Sequence, residues 1–200
     1  GGGAGGGGAA AEAAPGSVWG LARDPDGCRQ VQWALEWGAG GAERVALVQE
    51  LHGHVWEALQ CPHANHVLQK AIVVMRPAEV DFIITEIMRL AAASQAARHK
   101  YGCRVVQRLL EFCPPDQTRG LVECLLADFR LIARHPYGNY VLLAAFLHGT
   151  GDQRRRVAEL LSADARAFGT DPHGVAVIGA VLAHGAAEDR RAVAEALVRG

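Results

Sequence analysis

Three pairs of side chains recur along this chain at one spacing. Cys28 and Gln32, Asn65 and Gln69, and Cys103 and Gln107 each stand four residues apart, and each first member is followed by a planar group: Arg29, His66 and Arg104. A fourth set keeps Asn139 and Tyr140 but puts Leu143 in the last place, and a fifth, Val175, Ala176 and Gly179, keeps none of this chemistry. Amides and thiols can donate to or accept from the edge of a ring, and Arg, His and Tyr offer planes on which a ring can stack. Those are the two ways an unstacked nucleobase is held. One such triplet alone would read as ordinary solvent-facing side chains. Its return at constant phase reverses that reading.

The elements that must position these groups are repeats. The triplets sit in DPDGCRQVQWAL (24–35), CPHANHVLQKAI (61–72), HKYGCRVVQRLL (99–110), HPYGNYVLLAAF (135–146) and DPHGVAVIGAVL (171–182). Their fourth positions, Gly27, Ala64, Gly102, Gly138 and Gly174, are separated by 37, 38, 36 and 36 residues. Self-similarity at such a period marks a stacked-repeat architecture. With Cys103 at 0° and about 100° per residue, Gln107 falls beside it at about 40° and Arg104 at about 100°. Val105, Val106, Leu109 and Leu110 gather on the other side, at about 200–340°. The apolar four are expected to face the core and the polar three to look away from it.

Each segment is followed by a polar break and a second helical stretch, clearest at 77–88 and 114–126, where a Pro stands at the start as the first helical turn tolerates. A shorter stretch, such as 128–134, leads into the next segment. No period-2 alternation and no βαβ pattern is present. The expected fold is all-α: an α-solenoid of about five three-helix repeats, each burying its apolar face against its neighbours. Residues 1–16 are almost entirely Gly and Ala and cannot bury a core, so the disordered tail is placed at 1–18 and the repeat domain at 19–200.

These segments resemble the second helix of Pumilio-family (PUF) repeats, and HKYGCRVVQRLLEFCPPDQT (99–118) is very similar to one of that family's repeats. The order Cys-Arg-Gln, Asn-His-Gln, Cys-Arg-Gln, Asn-Tyr resembles repeats three to six of the family's eight, with the last segment in the place of the seventh. The resemblance implies a curved right-handed superhelix, an incomplete domain, and single-stranded RNA running antiparallel to the protein. Carried over residue by residue, Cys28 and Gln32 read A with Arg29 stacking. Asn65 and Gln69 favour U with His66 stacking, in a place where the family is often tolerant. Cys103 and Gln107 read A with Arg104 stacking, and Asn139 with Tyr140 points to U. The implied site is 5′-x-U-A-(U or any)-A-3′. Leu143 removes half of the uracil contact, and the fifth repeat is mute toward sequence. The family further implies control of mRNA translation or decay, a cytoplasmic location, action as a monomer, and protein effectors on the convex face.

Composition narrows the alternatives. Half of the 200 residues are hydrophobic, enough for one folded unit, and the longest apolar stretches, near 140–147 and 175–183, fall far short of a membrane span. No secretory signal precedes the repeats. The five cysteines are odd in number and form no CxxC pair, which speaks against a disulfide framework or a zinc knuckle, and Cys61 with His63 lacks completing ligands, so no metal or cofactor is expected. No nucleophile motif, P-loop or HExxH is present, so the chain is not expected to be an enzyme. A net charge of −1 is low for a protein that holds phosphates. It keeps two other readings open: a degenerate solenoid that binds protein, like HEAT or armadillo arrays, and a ribosome-assembly type of relative, nucleolar, with little sequence preference. His99 and His135 occupy one slot of their repeats and are expected to shape a turn. Arg154–Arg156 and Arg190-Arg191 read as solvated outer faces, and Trp19, Trp33, Trp37 and Trp56 as packing residues.

Overall fold

The structure, a computed structural model, describes residues 17–38 and 40–199. The tail expected at the N-terminus lies outside the described residues except for its last two positions. There Ser17 caps the first helix, its Oγ accepting from the Gly20 N–H at 3.0 Å, and Val18 is buried, so these two residues belong to the first repeat.

The described residues are helical throughout, without a strand, in five units of short, middle and outer helix. The first unit holds α1 (Val18–Arg23), α2 (Gly27–Trp33), which runs on into a π-helical turn (Ala34–Gly38), and α3 (Gly41–Gln49). The second holds α4 (Val55–Gln60), α5 (Ala64–Val74), a 3-10 turn (Pro77–Glu79) and α6 (Asp81–Arg89). The third holds α7 (Ala93–Arg98), α8 (Gly102–Phe112) and α9 (Pro115–Ala127). The fourth holds α10 (Phe129–Ala133), α11 (Gly138–His148) and α12 (Gly151–Ser162). The fifth holds α13 (Ala165–Gly169), α14 (Gly174–His184) and α15 (Ala187–Arg199). No helix among the described residues is long and apolar enough to cross a membrane.

The middle helices stack in sequence, α2 on α5, α5 on α8, α8 on α11 and α11 on α14, and α6, α9, α12 and α15 line up behind them. The core lies between these layers. It takes Val105, Val106, Leu109 and Leu110 from α8, all fully or nearly fully buried, as the helical phase predicts, and Val141, Leu142, Ala145 and Phe146 from α11.

Four of the five middle helices start at a tight joint. A Cβ on Gly27 would lie 2.5 Å from the Leu21 carbonyl oxygen, and one on Gly138 would lie 2.6 Å from that of Ile132, so the short helix presses its last carbonyls onto a residue without a side chain. The helix start is then closed by whatever stands three residues earlier. Asp24 Oδ1 accepts from the Asp26 and Gly27 N–H groups at 2.9 and 2.7 Å, and Asp171 Oδ1 from those of His173 and Gly174, both at 2.9 Å. Cys61 Sγ accepts from the Ala64 N–H. His99 Nδ1 accepts from Tyr101 and Gly102, and His135 Nδ1 from Tyr137 and Gly138, at 3.2–3.3 Å. This is the turn role expected of the two histidines. It satisfies N–H groups that a helix start otherwise leaves without partners.

Candidate nucleic-acid interface

Counting each middle helix from its Gly or Ala start, the triplets occupy the second, third and sixth residues. Because successive middle helices lie side by side, Cys28, Asn65, Cys103 and Asn139 form one row. The planar groups stand out from it: Arg29, His66 and Arg104 are exposed, and Tyr140 is 51% exposed.

The first place of the triplet departs from the sequence expectation. Cys28, Asn65, Cys103 and Asn139 are buried, at 1–4% exposure, and do not look away from the protein. A single helix viewed down its axis leaves this place free, but the neighbouring middle helix closes over it. In α14, with no further repeat beside it among the described residues, Val175 in the same place is 48% exposed. Burial is compensated locally. The Cys28 and Cys103 thiols donate to the Pro25 and Lys100 carbonyls at 3.4 Å, Asn65 Nδ2 to the Cys61 carbonyl at 2.7 Å, and Asn139 Nδ2 to those of His135 and Pro136 at 2.8 and 3.2 Å. Burial also pushes both thiols above their ordinary titration range, so each keeps its S–H.

The glutamines bend back onto this first place. Gln32 and Gln107 donate through Nε2 to the Cys28 and Cys103 carbonyls at 3.1 and 3.0 Å, and Gln69 donates to Asn65 Oδ1 at 2.8 Å. Each bond uses one Nε2 proton, and Oε1 is the acceptor that each amide keeps available. The three pairs are therefore small fixed arrays, a donor or amide at the base of the row and a carbonyl oxygen above it.

The seventh residues are Trp33, Lys70, Arg108, Ala144 and Ala180; Trp33 is exposed, Lys70, Arg108 and Ala180 are half-buried, and Ala144 is buried. Lys70 Nζ reaches back to Glu36 Oε2 of the preceding repeat at 2.6 Å, and Arg108 pairs with Glu111 at 2.8 Å. Both cations of this row are thus matched by carboxylates. The last two repeats change character: Leu143 and Leu147 replace polar groups, and a Cβ on Gly179 would meet nothing within 4 Å. Trp19 packs as expected, stacked on His54 at 4.5 Å, but Trp33 and Trp37 do not: they are 62% and 73% exposed. The signal for Trp33 was its place one helical turn after Arg29. No group of three or more His, Cys, Asp or Glu able to hold a metal occurs among the described residues.

The Pumilio-family RNA binding repeat matches residues 17–52, 60–88, 95–126 and 129–162. The chain belongs to the Pumilio family. The matched stretches are the first four units, those whose middle helices carry all or part of the triplet, and the fifth unit lies outside them. Pumilio homolog 8, chloroplastic, of Arabidopsis thaliana is 32% identical over 114 residues, which is 56% of this chain and 22% of that protein. Pumilio homolog 1 of Xenopus laevis is 33% identical over 102 residues, 51% of this chain and 8% of that one. The crystal structure of PUF-8 in complex with PBE-RNA superposes with a TM-score of 0.88 at 29% identity, covering 92% of this chain and 53% of that one. The Puf4 RNA binding domain bound to an HO endonuclease RNA 3′ UTR recognition sequence gives 0.76 at 25% identity, covering 84% and 51%. This Pumilio chain thus spans about half of those solved domains and under a quarter of the two curated relatives.

Proposed function

We propose that this Pumilio chain binds single-stranded RNA along the open face of α2, α5, α8 and α11, one base to a repeat, and that it acts in post-transcriptional control of mRNA. One observation carries the reading: a Cys or Asn paired with a Gln stands at the same two places in three successive contacting helices, each pair beside an exposed plane. Adenine fits the Cys pairs, since its N6 amino group can donate to Gln Oε1 while the thiol turns from its backbone carbonyl to N1. Uracil fits Asn65 and Gln69, with N3–H donating to Oε1 and the second proton of Asn65 Nδ2 free for a uracil oxygen. Arg29, His66, Arg104 and Tyr140 stack between bases. With the antiparallel order of the family, the site is 5′-x-U-A-(U or any)-A-3′. Protein effectors are placed on the outer helices, where Arg155, Arg156, Arg190 and Arg191 are exposed.

Competition binding with RNAs varied at one position tests this reading. The two A positions should be selected by about tenfold or more, ~1.4 kcal/mol; equal binding of all four bases there sinks it. The fourth repeat gives a finer test. Leu143 cannot supply the amide oxygen that N3–H would meet, while Tyr140 still stacks, so this position should bind a base and select weakly. Leu143→Gln should raise the preference for U over C by about threefold, the worth of one partly hydrated hydrogen bond, and leave both A positions unchanged. A wild type that already prefers U over C by more than about tenfold contradicts this account of Leu143.

A further inference from the structure

The row of seventh residues assigns a role to Trp33 that the triplets do not cover. In the second repeat this place points toward the preceding repeat, since Lys70 reaches back to Glu36. Trp33 occupies the same place in α2, one turn after Arg29, so it lies on the open face and on the side of α2 away from the second repeat. It is 62% exposed where the third repeat has an ion-paired Arg108 and the last two have Ala144 and Ala180.

Its indole is held in place. The middle helices of repeats two to five are regular for 11 residues, whereas α2 passes directly after Trp33 into the π-helical turn Ala34–Gly38. In a π-helical turn the residue five further on comes round beneath the first, and that residue is Gly38. A Cβ on Gly38 would lie 2.6 Å from Trp33 Cζ3 and 3.1 Å from Cε3, so the benzo end of the ring rests on a backbone that only glycine leaves bare. Inserted π turns of this kind are concentrated at functional sites. The result is a backed aromatic plate with an open side, one helical turn along α2 from Arg29.

We propose that Trp33 is a stacking platform for one further nucleotide, beyond the base held at Arg29 on the side away from the second repeat, and that it takes any base. Stacking on an indole tolerates every base because each has a π-face. Trp37, 73% exposed four residues further along, serves as the control.

This inference rests on the RNA-binding reading, and the test separates the two. Take an RNA carrying U-A-N-A flanked on both ends by abasic ribose-phosphate units, so that charge and length stay fixed. Measure its affinity for the full chain, then restore a single base next to the site at one end or the other. Restoring the base at one end should tighten binding by about fivefold or more, the weak end of what aromatic stacking supplies, equally for all four bases. Trp33→Ala should abolish that gain and leave the affinity for the abasic-flanked RNA unchanged. Trp33→Phe should recover part of it, and Trp37→Ala should keep it. The proposal is overturned if restoring a base at neither end tightens wild type. It is also overturned if Trp33→Ala retains the gain, if that substitution weakens the abasic-flanked RNA equally, or if Trp37→Ala alone abolishes the gain. Should the site itself fail to bind, the RNA-binding reading falls and this inference with it.

Discussion

Replacing Cys103 by Ser and Gln107 by Glu together should convert the third repeat from an adenine reader to a guanine reader. In the present pair Gln107 keeps Oε1 as an available acceptor and Cys103 carries an S–H at the base of the row, groups that can meet an N6 amino group and an N1 lone pair. Guanine offers the reverse, with N1–H and N2–H₂ as donors, and a carboxylate accepts from both. The Gln107→Glu change has a second consequence. Gln107 is 8% exposed and gives its Nε2 proton to the Cys103 carbonyl, so a carboxylate there loses that bond and sits against a carbonyl oxygen. The free protein should therefore lose about 1–3 kcal/mol of stability, as a buried acceptor does when left without a partner. Guanine, and not adenine, relieves that loss on binding, which adds to the discrimination. A base-edge pair gained or lost is worth ~1–3 kcal/mol by analogy with duplex readout, so the A-to-G affinity ratio at this position should fall by at least about tenfold. The neighbouring positions should keep their preferences. Fluorescence anisotropy with RNAs differing only at that base reads the ratio directly; a ratio equal to that of wild type would falsify the assignment of Cys103 and Gln107 to the base edge.

The period and the helical phase were legible in the chain because each repeats the same problem: an apolar stripe that must meet the next unit. The core four of α8 and the shared joint slot of His99 and His135 followed from that alone. What was not legible depends on neighbours. The burial of Cys28, Asn65, Cys103 and Asn139 is imposed by the adjacent middle helix, which no view of a single helix contains. The π turn after Trp33 leaves no trace in a sequence whose helical spacing continues through it, so Trp33 and Trp37 read as packing residues and emerge exposed. The capping slot was half seen. Two histidines marked it, but Asp24, Cys61 and Asp171 stand in the same place and do the same work with different chemistry.

That mixture of caps carries a prediction about pH. His135 can accept from Tyr137 and Gly138 only while Nδ1 is unprotonated. Its pKa is held below the ordinary histidine value, first by burial, then by the positive charges of Arg98 and His173. The folded state thus takes up its proton at lower pH than the unfolded chain does. The cap contributes fully above an unfolded pKa of about 6.5, and its contribution is lost as pH falls through the lower folded value. Protonation removes the acceptor and sets a cation at the positive end of α11. Asp24 and Asp171 show the alternative. Backbone N–H groups, those of Gly27 and Gly174 foremost, hold their carboxyls below the usual range, so both remain acceptors well into acid. His135→Asp should therefore match or exceed wild type at pH 8 and pull ahead as pH falls toward 5. The gap should grow by about 1 kcal/mol, the usual worth of an N-terminal cap. The comparison must be differential, because the chain holds nine histidines and the other eight are common to both proteins. Urea denaturation of the two proteins at matched pH values gives the difference, and a gap that stays constant from pH 8 to 5 rules out the cap as its source.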